Sequence, residues 1–333
     1  MVNPDNRIEE QRSVIVDFDD NRLLSPLFGE HDRNLAKIEQ KLGVSMSSRG
    51  NRVAISGDAW STKVAERTLS DLYQRLQRGL DVASGDVDGA IRMAQSQRSA
   101  SREEMPTVCT RKRDIAPRSL NQASYIRELE RSDLVFGLGP AGTGKTYLAV
   151  AMGVVKLLSG VCDRIILSRP AVEAGERLGF LPGDLREKVD PYLRPLYDAL
   201  YDMLPAEQVV KRLETGEIEV APLAFMRGRT LSNSFVILDE AQNTTPVQMK
   251  MLLTRLGENS RLVVTGDLTQ IDLPRGTRSG LKDAVAILRD VEGVSFVYFS
   301  DIDVVRHPLV SKVLQAYENL EASRRVAGDD END

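Results

Sequence analysis

Residues 139–146 read Gly-Pro-Ala-Gly-Thr-Gly-Lys-Thr and satisfy every fixed position of the pattern G-x-x-x-x-G-K-[ST]. Few folds accept such a segment. Its glycines let the backbone curl tightly enough to aim successive N–H groups at one anion. A helix starting at its end adds free N–H groups and its dipole. The flanks agree: 134–138 is a short apolar run suited to a buried strand, and 147–158 is helix-compatible. This order predicts a phosphate cradle made of Gly139, Pro140, Ala141, Gly142, Thr143, Gly144, Lys145 and Thr146. In it Lys145 neutralises the β- and γ-phosphates and the Thr146 hydroxyl sits on Mg²⁺.

A cradle of this kind needs carboxylates nearby. Phe235-Val-Ile-Leu-Asp239-Glu240 is an apolar run that ends in two of them. A strand-end Asp holds Mg²⁺ beside the loop hydroxyl, which assigns Asp239 with Thr146 to the metal. A neighbouring Glu polarises the attacking water, which assigns Glu240 as general base. Thr245-Pro246-Val247-Gln248 is a capping box with Pro at the first helical position, so both acids lie on a short strand-to-helix loop. Leu262-Val-Val-Thr265-Gly266-Asp267-Leu-Thr-Gln270 is a further strand with a polar loop. Gln270 is placed to bond the γ-phosphate or its water, and Asp267 to orient that water or a partner side chain; an ordinary turn is the alternative.

Around these motifs the apolar runs 134–138, 164–168, 235–238, 262–265 and 294–299 alternate with helical stretches. Continuous runs suit strands buried on both faces, so 120–325 is expected to be an α/β domain with a parallel sheet. Ahead of it, 12–80 reads as a small α/β unit, with strands at 13–18 and 52–56 and helices at 34–42 and 59–78. Residues 81–119 read as a linker, whose basic later part leaves two readings open: a solvated connector, or a strap on nucleic-acid phosphates. Residues 326–333 read as an acidic tail.

Charge and composition narrow the setting. The formal net charge of −5 argues against a dedicated DNA-coating protein, though a local basic face remains compatible with it. Met1–Glu10 lacks the apolar stretch of a signal peptide, and no apolar run is long enough for a membrane span; Cys109 and Cys162 sit in unrelated contexts with only His31 and His307 to join them, so no zinc cluster is expected. A reduced cytoplasm and no membrane partner are the simplest expectation.

The ordered set GPAGTGKT, IILSR at 165–169 with Pro170, DEAQN at 239–243 and TGDLTQIDLP at 265–274 resembles the PhoH-like family over roughly 115–325. That resemblance implies a single RecA-like P-loop core related to superfamily 1 helicases, using ATP and Mg²⁺. It implies that Gln122 reads adenine. It places Arg169 and Pro170 at a nucleic-acid backbone, with a structural ion pair as the other reading for Arg169. A single core further implies a homo-oligomer, a hexameric ring, with Arg306 reaching a neighbour's site as an arginine finger. Residues 175–200 also resemble the family and suit a pore-side or subunit-contact element. The N-terminal unit looks KH-like, with Gly29-Glu30-His31-Asp32 in place of the GxxG loop. Asp32 replaces the second glycine and Glu30 adds negative charge, so protein contact or ring packing stands beside RNA binding there.

The resulting expectation is an ATPase that couples hydrolysis to RNA remodelling or ribosomal RNA processing, with helicase-like activity and an RNA-processing protein as partner. The rival is a nucleotide-switched, ring-forming assembly or regulatory protein. A P-loop kinase fits less well, because the strand ends favour water as acceptor. No guanine-reading N-K-x-D stretch occurs, which favours ATP over GTP.

Overall fold

The computed structural model describes residues 11–96, 105–170, 185–274, 276–305 and 313. Arg306, the acidic tail and 175–184 of the 175–200 segment lie outside the described residues.

The N-terminal unit holds β1 (Gln11–Asp17), α1 (Leu24–Phe28), α2 (Arg33–Leu42), β2 (Ser45–Arg49), β3 (Arg52–Asp58) and α3 (Ala59–Gln77). Its antiparallel sheet has the order β1-β3-β2. Strand and helix periods explain its core: Val53 and Ile55 alternate inward on β3, and Leu69, Leu72 and Leu76 line one face of α3. The Asp58 carboxylate caps α3 by accepting from the Trp60 and Ser61 amides. Gly29–Asp32 falls between α1 and α2, with His31 and Asp32 both at positive φ.

The expected linker is more ordered than its sequence suggested. Its first part is α4 (Ser84–Ser96), whose Val87, Ala90, Ile91 and Ala94 recur at helical spacing and join the N-terminal core. Its last part is a small hairpin of β4 (Val108–Cys109) and β5 (Asp114–Ile115), with Val108 buried in the large domain's core. Gly85 and Gly89 read as helix breakers. In the fold Gly89 is a contact point, since a methyl there would lie 3.2 Å from the Arg118 carbonyl oxygen.

The large domain runs α5 (Leu120–Arg131), β6 (Leu134–Leu138), α6 (Lys145–Leu158), β7 (Arg164–Arg169), α7 (Leu185–Met203), α8 (Ala206–Glu214), β8 (Ile218–Pro222), β9 (Ser234–Leu238), α9 (Pro246–Leu253), β10 (Arg261–Gly266), α10 (Gly280–Ile287) and β11 (Val294–Tyr298). Its six strands are all parallel, in the order β11-β6-β10-β9-β7-β8. One hydrophobic cluster packs α5, α6 and α7 on one face of the sheet, and a second packs α9 and α10 on the other. This is the expected α/β P-loop architecture of RecA-like type. The edge strand β8 went unread, because its sequence Ile-Glu-Val-Ala-Pro alternates and lacks the continuous apolar run of a central strand.

Candidate nucleotide site

Strand order builds the site. β10 lies between β6 and β9, so the cradle that follows β6 and the carboxylates that follow β9 flank the end of β10. Register then sets which atoms meet. Val264 pairs with Leu238, which brings the next residues, Thr265 and Asp239, side by side.

Asp239 is buried, and its Oδ1 accepts from Thr146 Oγ1 at 2.6 Å and from Thr265 Oγ1 at 2.7 Å. Its amide donates to the Ser168 carbonyl at the end of β7. A carboxylate and a hydroxyl held this closely are hard oxygen donors at the mouth of the loop. Thr146 and Asp239 therefore fit Mg²⁺, a hard cation that takes oxygen ligands, and would hold it at the mouth of the loop.

Gly144 caps α6 in the left-handed region, which starts the helix with its N–H groups facing the loop. Lys145 Nζ lies inside the curve, donating to the Gly139 and Pro140 carbonyls at 2.6 and 2.7 Å. The loop is braced from three sides. Gly139 donates to the Gly266 carbonyl, Val305 donates to Gly142, and Gln122 Nε2 donates to the Thr143 carbonyl at 2.9 Å.

Glu240 has positive φ, in the tight turn between β9 and the 3-10 turn at Ala241–Asn243. Arg169 NH2 lies 2.9 Å from its Oε1, and Gln242 Nε2 donates to its Oε2. Gln242 Oε1 accepts the Asp267 amide at 3.1 Å, so one amide side chain ties the β9 loop to the β10 loop. Asp267 is buried. Its Oδ1 accepts from Thr269, and its Oδ2 has no hydrogen-bond partner among the described residues. A buried carboxylate oxygen of this kind calls for a partner, and it borders the hollow lined by Lys145, Thr146, Glu240 and Gln270.

The structure thus brings Lys145, Thr146, Asp239, Glu240, Asp267 and Gln270 around one hollow. Gln270 is exposed at its rim. Arg169 takes the ion-pair reading, and Pro170 is buried. Gln122 is buried, with both ends of its amide engaged: Nε2 on Thr143 and Oε1 on the Arg118 amide at 2.7 Å. Sequence reasoning gave no role to Thr265 or Gln242, and named no partner for the ion pair read for Arg169. The first two lie inside the recognised motifs, but their partners follow only from β9 lying beside β10.

Tyr125 underlies the site, packed against Gly137, where a methyl would meet the ring at 2.9 Å. Burial raises its phenol far above the ordinary range, and the Asp239 charge adds to this. Among the described residues no helix is long and apolar enough to cross a membrane.

Comparison with known proteins agrees with this geometry. The family described as PhoH-like protein matches residues 114–318. A PhoH-like protein of Bacillus subtilis (strain 168) is 50% identical over 296 residues, covering 88% of this chain and 93% of the relative. A PhoH-like protein of Mycobacterium tuberculosis (strain H37Rv) is 49% identical over 317 residues, covering 92% and 90%. Protein PhoH of Escherichia coli (strain K12) is 49% identical over 293 residues, covering 86% and 79%. The cradle, the strand order and these likenesses converge: the chain belongs to the PhoH-like family of P-loop proteins.

Proposed function

We propose that this protein binds ATP with Mg²⁺ and hydrolyses it, and that turnover is coupled to work on RNA. The observation that carries the hydrolysis reading is the meeting of Thr146, Asp239 and Thr265 within hydrogen-bond distance, with Glu240 the next residue along. Water attacks the γ-phosphorus, the bond to the bridging oxygen breaks, and ADP and phosphate leave. Glu240 accepts the water's proton. Lys145 and the P-loop amides balance the charge on the phosphoryl oxygens. Bound Mg²⁺ would neutralise the β- and γ-oxygens. Gln270 and Asp267 orient the water.

In this reading the site is completed by a second copy, in a ring of six, with Arg306 of the neighbour entering as the charge-stabilising finger. The ring rests on the single RecA-like core. The RNA part rests on the helicase-like motif order and on the β-α-α-β-β-α order of the N-terminal unit, which suits a KH-like domain. RNA processing in the cytoplasm, with a protein partner, is the setting this reading favours.

One observation favours the rival reading, a nucleotide-switched assembly protein. The turn at Gly29–Asp32 carries exposed Glu30 and Asp32, which repel phosphate. Steady-state ATP hydrolysis with and without single-stranded RNA, beside Glu240→Gln, separates the two. Turnover that rises with RNA and disappears in the variant supports the RNA-coupled enzyme. Turnover indifferent to RNA yet lost in the variant favours the switch, and turnover unaffected by the variant removes Glu240 as base.

A further inference from the structure

The cradle has hollows on both flanks. One is the catalytic hollow with Asp239 and Glu240. The other, of about 800 Å³, begins at the same Gly142, Gly144 and Tyr147 and runs outward between the core and the N-terminal unit. A triphosphate whose γ-end faces Asp239 and Glu240 leaves the loop by the other flank. Its nucleoside then enters this second cavity, whose volume lies within the roughly 300–1,000 Å³ usual for small-ligand sites.

The outer wall of that cavity is the unexpected part. Gly79, Leu80 and Asp81, on the turn after α3, line it from the N-terminal unit. The opposite wall includes the β4–β5 hairpin and Tyr147. Each wall is anchored. Lys112 of the hairpin donates through Nζ to the Tyr201 carbonyl at 2.7 Å. On the other side, buried Asp86 of α4 accepts from Arg118 Nε at 3.1 Å and pairs with Arg75. The Arg118 amide in turn donates to Gln122 Oε1, and Gln122 holds the Thr143 carbonyl of the cradle. A continuous run of polar contacts thus joins the N-terminal unit to the phosphate loop.

We propose that the nucleoside end of the bound triphosphate sits between the core and the N-terminal unit, so that Gly79–Asp81 form a wall of the nucleotide site. This rests on the reading of the cradle as a triphosphate site. The N-terminal unit is then part of the catalytic domain's ligand pocket, and anything that displaces it changes nucleotide affinity.

The test uses the full chain and two probes, 8-azido-ATP and inorganic tripolyphosphate. Photolabelling by 8-azido-ATP is mapped by peptide mass spectrometry. Affinities for ATP and tripolyphosphate are measured for the wild type and for Asp81→Trp, an exposed position where added bulk fills the cavity without touching the core. Label on peptides spanning 71–90, with ATP affinity weakened about tenfold in the variant and tripolyphosphate affinity held within about twofold, supports the proposal. Label confined to residues beyond 105 overturns it, whatever the variant does. Equal weakening of both ligands in Asp81→Trp also overturns it, because the effect then reaches the phosphates rather than the nucleoside. A wild-type chain that binds neither probe sinks the triphosphate reading itself, an outcome distinct from the other two.

Discussion

Arg169 at the end of β7 and Glu240 after β9 form an ion pair at 2.9 Å, and Gln242 occupies the other Glu240 oxygen. The pairing follows from strand order, because β7 and β9 are neighbours and Ser168 pairs with Leu238. A carboxylate with both oxygens engaged accepts a water proton poorly. Arg169 is itself anchored by donating from NH1 to the Tyr192 carbonyl on α7 at 2.8 Å.

Arg169→Ala is therefore expected to raise basal ATP turnover several-fold, by roughly 2–10-fold, as Glu240 gains freedom to meet water. Glu240→Gln is expected to lower kcat by about 100-fold or more, with ATP binding retained. Single-turnover and steady-state assays read both. A fall in turnover for Arg169→Ala would mean that the arginine positions Glu240 productively rather than restraining it.

Thr265 makes a separate prediction. Its hydroxyl donates to the same Asp239 oxygen as Thr146. Thr265→Val keeps the shape of the buried strand end and deletes one hydrogen bond to a charged group, a loss of about 1.5–3 kcal/mol. The expected outcome is a kcat lower by about tenfold and a higher Mg²⁺ requirement, while ATP affinity measured without metal stays close to wild type. A Mg²⁺ titration of turnover checks it.

These contacts mark where reading the sequence stops. The cradle, the strand ends at Asp239 and Gly266 and the capped α9 are each written in one continuous segment, where spacing carries the physics. Five of the six core strands were legible as short, mainly apolar runs; β8 was not, because Glu219 and Pro222 break up its five residues. Arg169 reaching Glu240, Thr265 reaching Asp239 and Gln122 reaching Thr143 span 71, 26 and 21 positions. Such contacts depend on which elements lie side by side, and no local pattern states that. The α4 helix was hidden by Gly85 and Gly89, residues that disfavour helix by propensity but permit close packing on Arg118.

Gly139 tests the brace beneath the cradle. It sits at φ +141°, and a methyl there would lie 2.3 Å from the Phe299 carbonyl oxygen, a backbone atom that cannot swing away. Gly139→Ala combines backbone strain with overpacking and is expected to cost about 3 kcal/mol. Thermal unfolding followed by circular dichroism is expected to show a midpoint lower by roughly 5–10 °C, with nucleotide binding weakened in whatever folds. Gly160→Ala, also at positive φ but with open space around it, is the control for the backbone term alone.

Asp88 tests the N-terminal unit. Burial by itself raises its carboxyl, but the ammonium groups of Lys37 and Lys41, each 2.8 Å away, outweigh burial and hold it below the ordinary carboxylate range. The pairing joins α2 to α4, so it helps hold α4 in the N-terminal core. A group whose folded pKa is depressed contributes stability above its unfolded pKa of about 3.9 and loses it as pH falls through the folded value. Lys37 and Lys41 are partly exposed, and screening limits the pair to about 1 kcal/mol. Asp88→Asn is therefore expected to lower stability at pH 7 by about that amount, with the gap to wild type closing as pH drops below about 4. Urea unfolding at pH 7, 5 and 3 reads the difference. A gap that stays constant across that range would show that Asp88 acts through packing and hydrogen bonding rather than through its charge.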